Sequence, residues 1–275
     1  MSQPAASADT PLIEKSPPAK TGIGRQAMRF IYFMLAFIAV DRVIYFGTIY
    51  FAGHVRGNRL IVSGAHNDLV VVGASHSKDA IYPNAFRDAL GFETINLSIS
   101  GLETSDYAAL LERYLRHNPA PKTVLFDGTA WLYAQTASPE SQEKNQSNRY
   151  RYFLPFTGID ADYERLVQPS LPPETLILGK VIATYTLNNQ LDVIFNDGYR
   201  HHTLSRRSDG YLGQNILHDG LTAAQEKNWA YKFPNGYRLK ASSKTDLENV
   251  IAICERYKTK IFFVNFPVDA RLDRI

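Results

Sequence analysis

A serine placed just after a buried strand is the feature of this sequence most suited to chemistry. Leu69–Val72 (LVVV) runs directly into Gly73-Ala74-Ser75-His76-Ser77, and the stretch GASHSKDAIYP closes at Pro83. Open α/β sheets bind ligands just beyond the C-terminal ends of their strands. A Ser75 hydroxyl at that place can attack a carbonyl, and backbone N–H groups nearby can receive the oxyanion that develops. The same residues have a simpler use, since Ser75 or Ser77 can cap the helix that follows. A serine nucleophile also needs a base. His76 adjoins Ser75, but turn geometry directs it away. His201 and His202 lie in the polar loop YRHHTLSRR, which suits either an anionic substrate or plain solvent exposure. His218-Asp219 are adjacent, a poor arrangement for a base and its orienter. No histidine pair has H-x-x-x-H spacing, so no metal site is expected. No phosphate-binding or dinucleotide fingerprint occurs, and no organic cofactor is expected.

The elements that must hold Ser75 read as α/β. Leu69–Val72 is a short continuous apolar run ending in Gly73, as a strand buried on both faces is, and Thr94–Leu97, Thr123–Phe126 and Lys260–Asn265 are further strand candidates. Thr104–His117 carries Tyr107, Leu110, Leu111, Tyr114 and Leu115 at helical spacing, and Leu247–Tyr257 is a second helix before the last strand. Strand–helix–strand alternation predicts a parallel sheet with helices on both faces, over residues 60–275. Residues 134–243 break the rhythm. They are rich in Asn, Gln, Tyr, Arg and Pro, with turn signals at 196–198, 208–210 and 234–236. They read as a long insertion, helical over Thr175–Leu187, capping the C-terminal edge of the sheet.

Composition narrows the class. The 275 residues carry 30 Lys+Arg against 27 Asp+Glu, a net charge of +3 too small for a nucleic-acid footprint. The lone Cys254 excludes an intramolecular disulfide framework. A mean hydropathy of −0.23 excludes a polytopic membrane protein but leaves room for one span. Residues 1–29 begin with a Pro/Ala/Ser/Thr-rich stretch that cannot bury enough apolar area to order itself, and are expected to form a disordered cytoplasmic tail. Phe30–Ala52 follows, long and apolar enough for a transmembrane anchor despite Asp41 and Arg42 near its middle. Such charges are expected to neutralise each other or to find a partner, a membrane protein included. Lys15, Lys20, Arg25 and Arg29 before the run, against Arg56 and Arg59 after it, orient the chain N-in. The folded part is then expected outside the cytoplasm, periplasmic in a Gram-negative cell.

Gly73-Ala74-Ser75-His76-Ser77 after a hydrophobic strand resembles block I (G-D-S-x-S) of the SGNH/GDSL hydrolase superfamily. About twenty residues on, INLSISGLET (95–104) resembles block II, where Gly101 matches the oxyanion-hole glycine. The order of anchor, GASHS, IYP, NLSISG and NPAPKTVLF resembles the membrane-anchored branch containing D-alanyl-lipoteichoic acid transfer and exopolysaccharide acyl-transfer proteins. The resemblance covers Asp68 to Leu132 and the last strand. It implies a three-layer, flavodoxin-like SGNH sheet with Ser75 as nucleophile and Gly101 as oxyanion donor. Ala74 stands where block I usually has aspartate, a change this branch tolerates. Block III normally supplies an asparagine after the third strand; here the sequence is Phe126-Asp127-Gly128-Thr129, leaving Thr129 or a backbone amide as the substitute. His76 and Ser77 are further accessory candidates. Block V (D-x-x-H), the base and its orienting carboxylate, is absent from the residues after the last strand. A longer chain, a non-catalytic protein and an unusual base each account for that departure, the first most simply.

The resemblance implies an esterase or O-acyltransferase that takes an acyl donor and a cell-envelope glycan, with no cofactor. The rival expectation is a non-catalytic binding or assembly subunit of an envelope polysaccharide machine.

Overall fold

The computed structural model describes residues 23–55, 58–129, 133, 147–168, 171–188, 190, 191, 194 and 239–265. The turn signals at 196–198, 208–210 and 234–236, together with His201, His202 and His218-Asp219, lie outside the described residues, as does the tail before residue 23. The chain divides into two compact units, Met1–Val40 and Asp41–Ile275.

Helix α1 (Ile23–Tyr50) continues into a π-helical turn, Phe51–Val55. It begins seven residues before the expected anchor, because Arg25, Gln26, Ala27, Met28 and Arg29 are good helix formers with no breaker among them. Gly24–His54 is long and apolar enough to cross a membrane, with a mean hydropathy of 1.7 in its most apolar stretch. From Asp41 onward one face is buried: Asp41, Tyr45, Ile49 and Ala52 recur every three or four residues. The Asp41 carboxylate accepts hydrogen bonds from the amides of Ala183 (2.7 Å) and Thr184 (3.0 Å) and from the Thr184 hydroxyl. Arg42 donates to the carbonyl oxygen of Lys180 at 2.5 Å. The charged pair in the apolar helix thus finds polar partners within its own chain.

The sheet is four-stranded and parallel, in the order β2-β1-β3-β4, with β1 Leu69–Val72, β2 Thr94–Asn96, β3 Thr123–Asp127 and β4 Lys260–Val264. Each strand falls within a residue of its expected bounds. Leu69 pairs with Thr94 on one side and Thr123 on the other, and Thr123 pairs with Lys260. All four residues of β1 are buried, which accounts for its unbroken apolar sequence. Helices α2 (Ser75–Ala80) and α3 (Pro83–Leu90) join β1 to β2, and α4 (Thr104–His117) joins β2 to β3. The core formed by these elements takes in Tyr107, Leu110, Leu111 and Tyr114 of α4 with Val70, Val72, Val124 and Phe126 of the sheet.

Between β3 and β4 come α5 (residues 147–153), α6 (Ala161–Val167) and α7 (Pro173–Val181). The helix expected over Thr175–Leu187 is broken in two: α7 stops at Val181 and a 3-10 turn, Ala183–Leu187, restarts the chain. Asp41 is the cause. By taking the Ala183 and Thr184 amides it acts as the cap of a new helical start. Phe153, Phe156 and Tyr163 fill the space between α6 and α4, with the Arg113 guanidinium 4.8 Å from the centre of the Tyr163 ring.

Helix α8 (Ser243–Arg256) starts four residues before the expected Leu247, because the Ser243 hydroxyl is fixed to the Tyr133 carbonyl at 2.8 Å. It packs on α4, with Arg256 reaching Glu112 at 2.7 Å. Its Cys254 is buried, and burial pushes the thiol up to about 11. The thiolate is the reactive form. Alkylation of the native protein at pH 8 is therefore expected to leave Cys254 unmodified until denaturant is added; rapid native labelling, read by mass spectrometry, would contradict its burial.

Candidate functional site

Ser75 is the first residue of α2, immediately beyond the C-terminal end of β1. The cap position belongs to Ala74, whose side chain makes no capping bond. Ser75 is half-buried, and among the described residues its hydroxyl has no hydrogen-bond partner. Ser75 therefore does not serve as the helix cap. Nor does Ser77 cap it; Ser77 instead fastens the start of α2 to β3. Its fully buried hydroxyl contacts the Ala74 carbonyl (3.0 Å) and the Asp127 carboxylate (3.2 Å).

Asp127, at the end of β3, ties the two neighbouring strand ends together. One carboxylate oxygen accepts from Ser77 and from the Ala74 amide (3.3 Å); the other accepts from the Thr129 amide at 3.1 Å. Its backbone carbonyl accepts the Tyr133 hydroxyl at 2.6 Å. Burial, and then the Asp127 charge, push that Tyr133 hydroxyl well above its ordinary range. Gly73 is what allows the strands to close on this carboxylate, since a Cβ there would overlap the Asp127 Cβ and the Ser77 hydroxyl. Thr129 is buried, its amide committed to Asp127. His76 lies in α2, and its side chain is outside the described residues.

Gly101 approaches from β2. The hydrogen-bond ladder between β1 and β2 runs on past the strands, with the Leu97 amide donating to Val71 (2.8 Å) and the Ile99 amide to Gly73 (2.9 Å). Ser75 and Gly101 thus stand two residues beyond the same paired position, Gly73–Ile99. The Tyr107 hydroxyl holds Ile99 from below through its carbonyl at 2.9 Å. Gly101 has φ +72°, the left-handed region that favours glycine. Its carbonyl accepts from the Asn148 amide of α5 at 3.0 Å. Next to it, Glu103 and Asp106 form a reciprocal cap at the start of α4, and Arg149 of α5 bonds both carboxylates at 2.8–3.0 Å. Desolvation opposes the Arg149 charge, but Asp106 and Glu103 outweigh it and hold the guanidinium above its ordinary range. The insertion therefore clamps the β2 loop at the C-terminal edge of the sheet. Gly101→Ala is expected to cost about 1–2 kcal/mol of stability through left-handed strain alone. It also pushes the Asn148 amide off the Gly101 carbonyl, and urea denaturation measures the sum; an unchanged midpoint would show that the loop adapts.

Two positions that build this edge of the sheet were missed in the sequence. Asn96, fully buried, donates to the Ser77 carbonyl (2.9 Å) and accepts the Ser98 amide (3.0 Å), so it fastens the end of α2 to β2. A polar residue closing an apolar strand was the available signal. Arg149 gave none, because its partners lie more than forty residues away.

His117, Asp160 and Asp162 bring ligand atoms within 4.8 Å of one another. Arg113 takes Asp160 at 2.7 Å, and Arg116 and Arg165 take Asp162. The cluster is an ion-pair network joining α4 to α6. A cavity of about 280 Å³ lined by Asn58, Arg59, Asn67, Asn84, Arg87 and Glu93 lies by the N-terminal end of β2, away from Ser75.

No protein family, curated protein or solved structure matches this chain.

Proposed function

We propose that the protein is a membrane-anchored, extracytoplasmic SGNH-like esterase or O-acyltransferase that modifies a cell-envelope polysaccharide through Ser75. The observation that carries this reading is the Ser75 hydroxyl: it stands at the C-terminal edge of the central strands, half-buried and without a hydrogen-bond partner among the described residues, while Ser77 does the work of fastening α2. The strand order 2-1-3-4 is the flavodoxin-like doubly wound order, whose ligands sit beyond β1 and β3 where the order reverses. Ser75 follows β1, and Asp127 closes β3.

In this reading the Ser75 oxygen attacks the donor ester carbonyl as a base removes its proton. The Ser75 and Gly101 amides stabilise the oxyanion, the donor alkoxide leaves with that proton, and a glycan hydroxyl or water then takes the acyl group. No described histidine is hydrogen-bonded to Ser75, so the base is a residue outside the described ones. Asp127 is not that base, because its oxygens are committed to Ser77, Ala74 and Thr129. Lipid anchoring through α1, with an N-in orientation, puts the domain beside its envelope substrate.

The test is capture of the acyl-enzyme. Full-length protein in its native membrane is quenched in acid during turnover of an activated acyl ester. Peptide mass spectrometry is expected to find the acyl increment on Ser75. An unmodified Ser75 together with normal binding of envelope glycan would support the rival assembly-subunit reading.

A further inference from the structure

We propose that the cavity beside β2 is a binding site for a small oxyanion, a carboxylate or phosphate carried on a sugar-sized, hydroxylated body. Its volume, about 280 Å³, is at the small end for ligand pockets and suits one ring with its substituents rather than an extended chain. All of its lining residues belong to the unit Asp41–Ile275. Its polar wall is built mainly of donors. Arg59 and Arg87 bring two guanidiniums, and Asn58, Asn67 and Asn84 bring three side-chain amides, against the one carboxylate of Glu93. A guanidinium matches the paired oxygens of a carboxylate or phosphate, and charge-assisted bonds of this kind are the strong ones.

Two buried residues hold the wall in place. The Arg59 side chain donates through Nη1 to the Asn96 carbonyl at 2.6 Å, so the end of β2 fixes this cation. Asn58 accepts the Leu60 amide through Oδ1 at 2.9 Å, which starts the 3-10 turn Arg59–Ile61. Its Nδ2 is buried and donates to no described residue. A buried amide N–H without an acceptor is costly, and a ligand oxygen in the cavity supplies one. Asn67 gives one N–H to the Tyr114 hydroxyl at 2.8 Å, and Asn84 one to the Tyr82 hydroxyl at 3.5 Å. The carbonyl ends of such amides accept, so they suit the hydroxyls of a sugar-like body, whose apolar face Pro83 and Ile95 can meet. Arg87 is half exposed, and its contact with the exposed Asp88, at 3.8 Å, is weak enough to give way to an anion. The cavity lies away from Ser75, and this inference does not rest on the chemistry proposed there.

The test is titration calorimetry of the full-length protein in lipid nanodiscs with glucuronate, glucose 6-phosphate, glucose and inorganic phosphate. None of these carries an acyl group, so a failure of the Ser75 reading leaves the result untouched. The expected result is saturable binding of one or both sugar acids and none of glucose. Preference for glucuronate identifies a carboxylate ligand, and preference for glucose 6-phosphate a phosphate. Arg87→Gln, on the exposed side of α3, is expected to weaken binding about tenfold, the loss of one charge-assisted bond, without moving the urea midpoint. Arg59→Lys is expected to weaken it further, and Lys244→Gln, on α8, to leave it unchanged. Binding of glucose as tight as that of the acids overturns the oxyanion assignment. Inorganic phosphate as tight as glucose 6-phosphate, with no binding of glucuronate, means an adventitious ion only and overturns the sugar-sized ligand. Absence of binding for both sugar acids, or wild-type affinity in folded Arg87→Gln, overturns the site.

Discussion

Ser75→Ala is expected to lower acyl transfer by roughly 10⁴-fold or more, as loss of the nucleophile does in serine acyl-transfer enzymes. The folded state should hardly register the change. The hydroxyl has no partner among the described residues, so the stability shift should stay within about 0.5 kcal/mol, the usual range for a substitution away from packing and polar networks. Ser77→Ala should behave in the opposite way. It leaves the Asp127 carboxylate short of a buried donor, which costs about 1–3 kcal/mol, and spares the chemistry of whatever protein remains folded. The measurement is O-acyl content of the envelope glycan alongside protein abundance, for wild type and both variants. Normal acylation with Ser75→Ala at normal abundance would end the catalytic reading.

The second large effect concerns the joint between α4 and the insertion. Arg113 and Asp160 are both nearly buried and meet at 2.7 Å, with the guanidinium also lying over Tyr163. Arg113→Met keeps the apolar bulk and removes the charge, stranding the Asp160 carboxylate that caps α6. Breaking a buried pair from one side costs about 3–5 kcal/mol. Denaturant unfolding should show a loss of that size. The double variant Arg113→Met with Asp160→Asn should recover part of it, because the stranded charge is then gone. A single variant as stable as wild type would mean that His117, 3.3 Å from Asp160, takes over the role.

These two sites differ in how far the sequence foretold them. The strands were legible because each is built on a short apolar run ended by a turn residue, and LVVV, wholly apolar, can bury both faces and do little else. The place of Ser75 just beyond β1 was legible because a glycine and a serine follow an apolar run, whereas Gly101 was singled out by the resemblance to block II alone. Asn96 and Asp127 escaped, although they are the last residues of β2 and β3, since their importance lies in whom they meet across the sheet. The break at Ile182 could not be read locally: VIATYT continues a helical pattern, and the cap that interrupts it is Asp41, 142 residues earlier. Arg113–Asp160 escaped for the same reason. Charge complementarity between distant segments leaves no periodic trace, whereas apolar burial does.

The strand order has a kinetic consequence. β1, β2 and β3 lie within residues 69–127, while β4 must return to β3 across the whole insertion from Asp127 to Lys260. Loop closure grows with the logarithm of length, about 0.6 kcal/mol for each doubling, so the delay arises less from that entropy than from order of arrival. A chain emerging N-terminus first presents three strands able to pair before the fourth exists. During that interval the free edge of β3, Thr123–Asp127, is an apolar template open to any passing strand. A step exposed to misassembly is therefore the docking of α8 and β4, delivered long after the other three described strands.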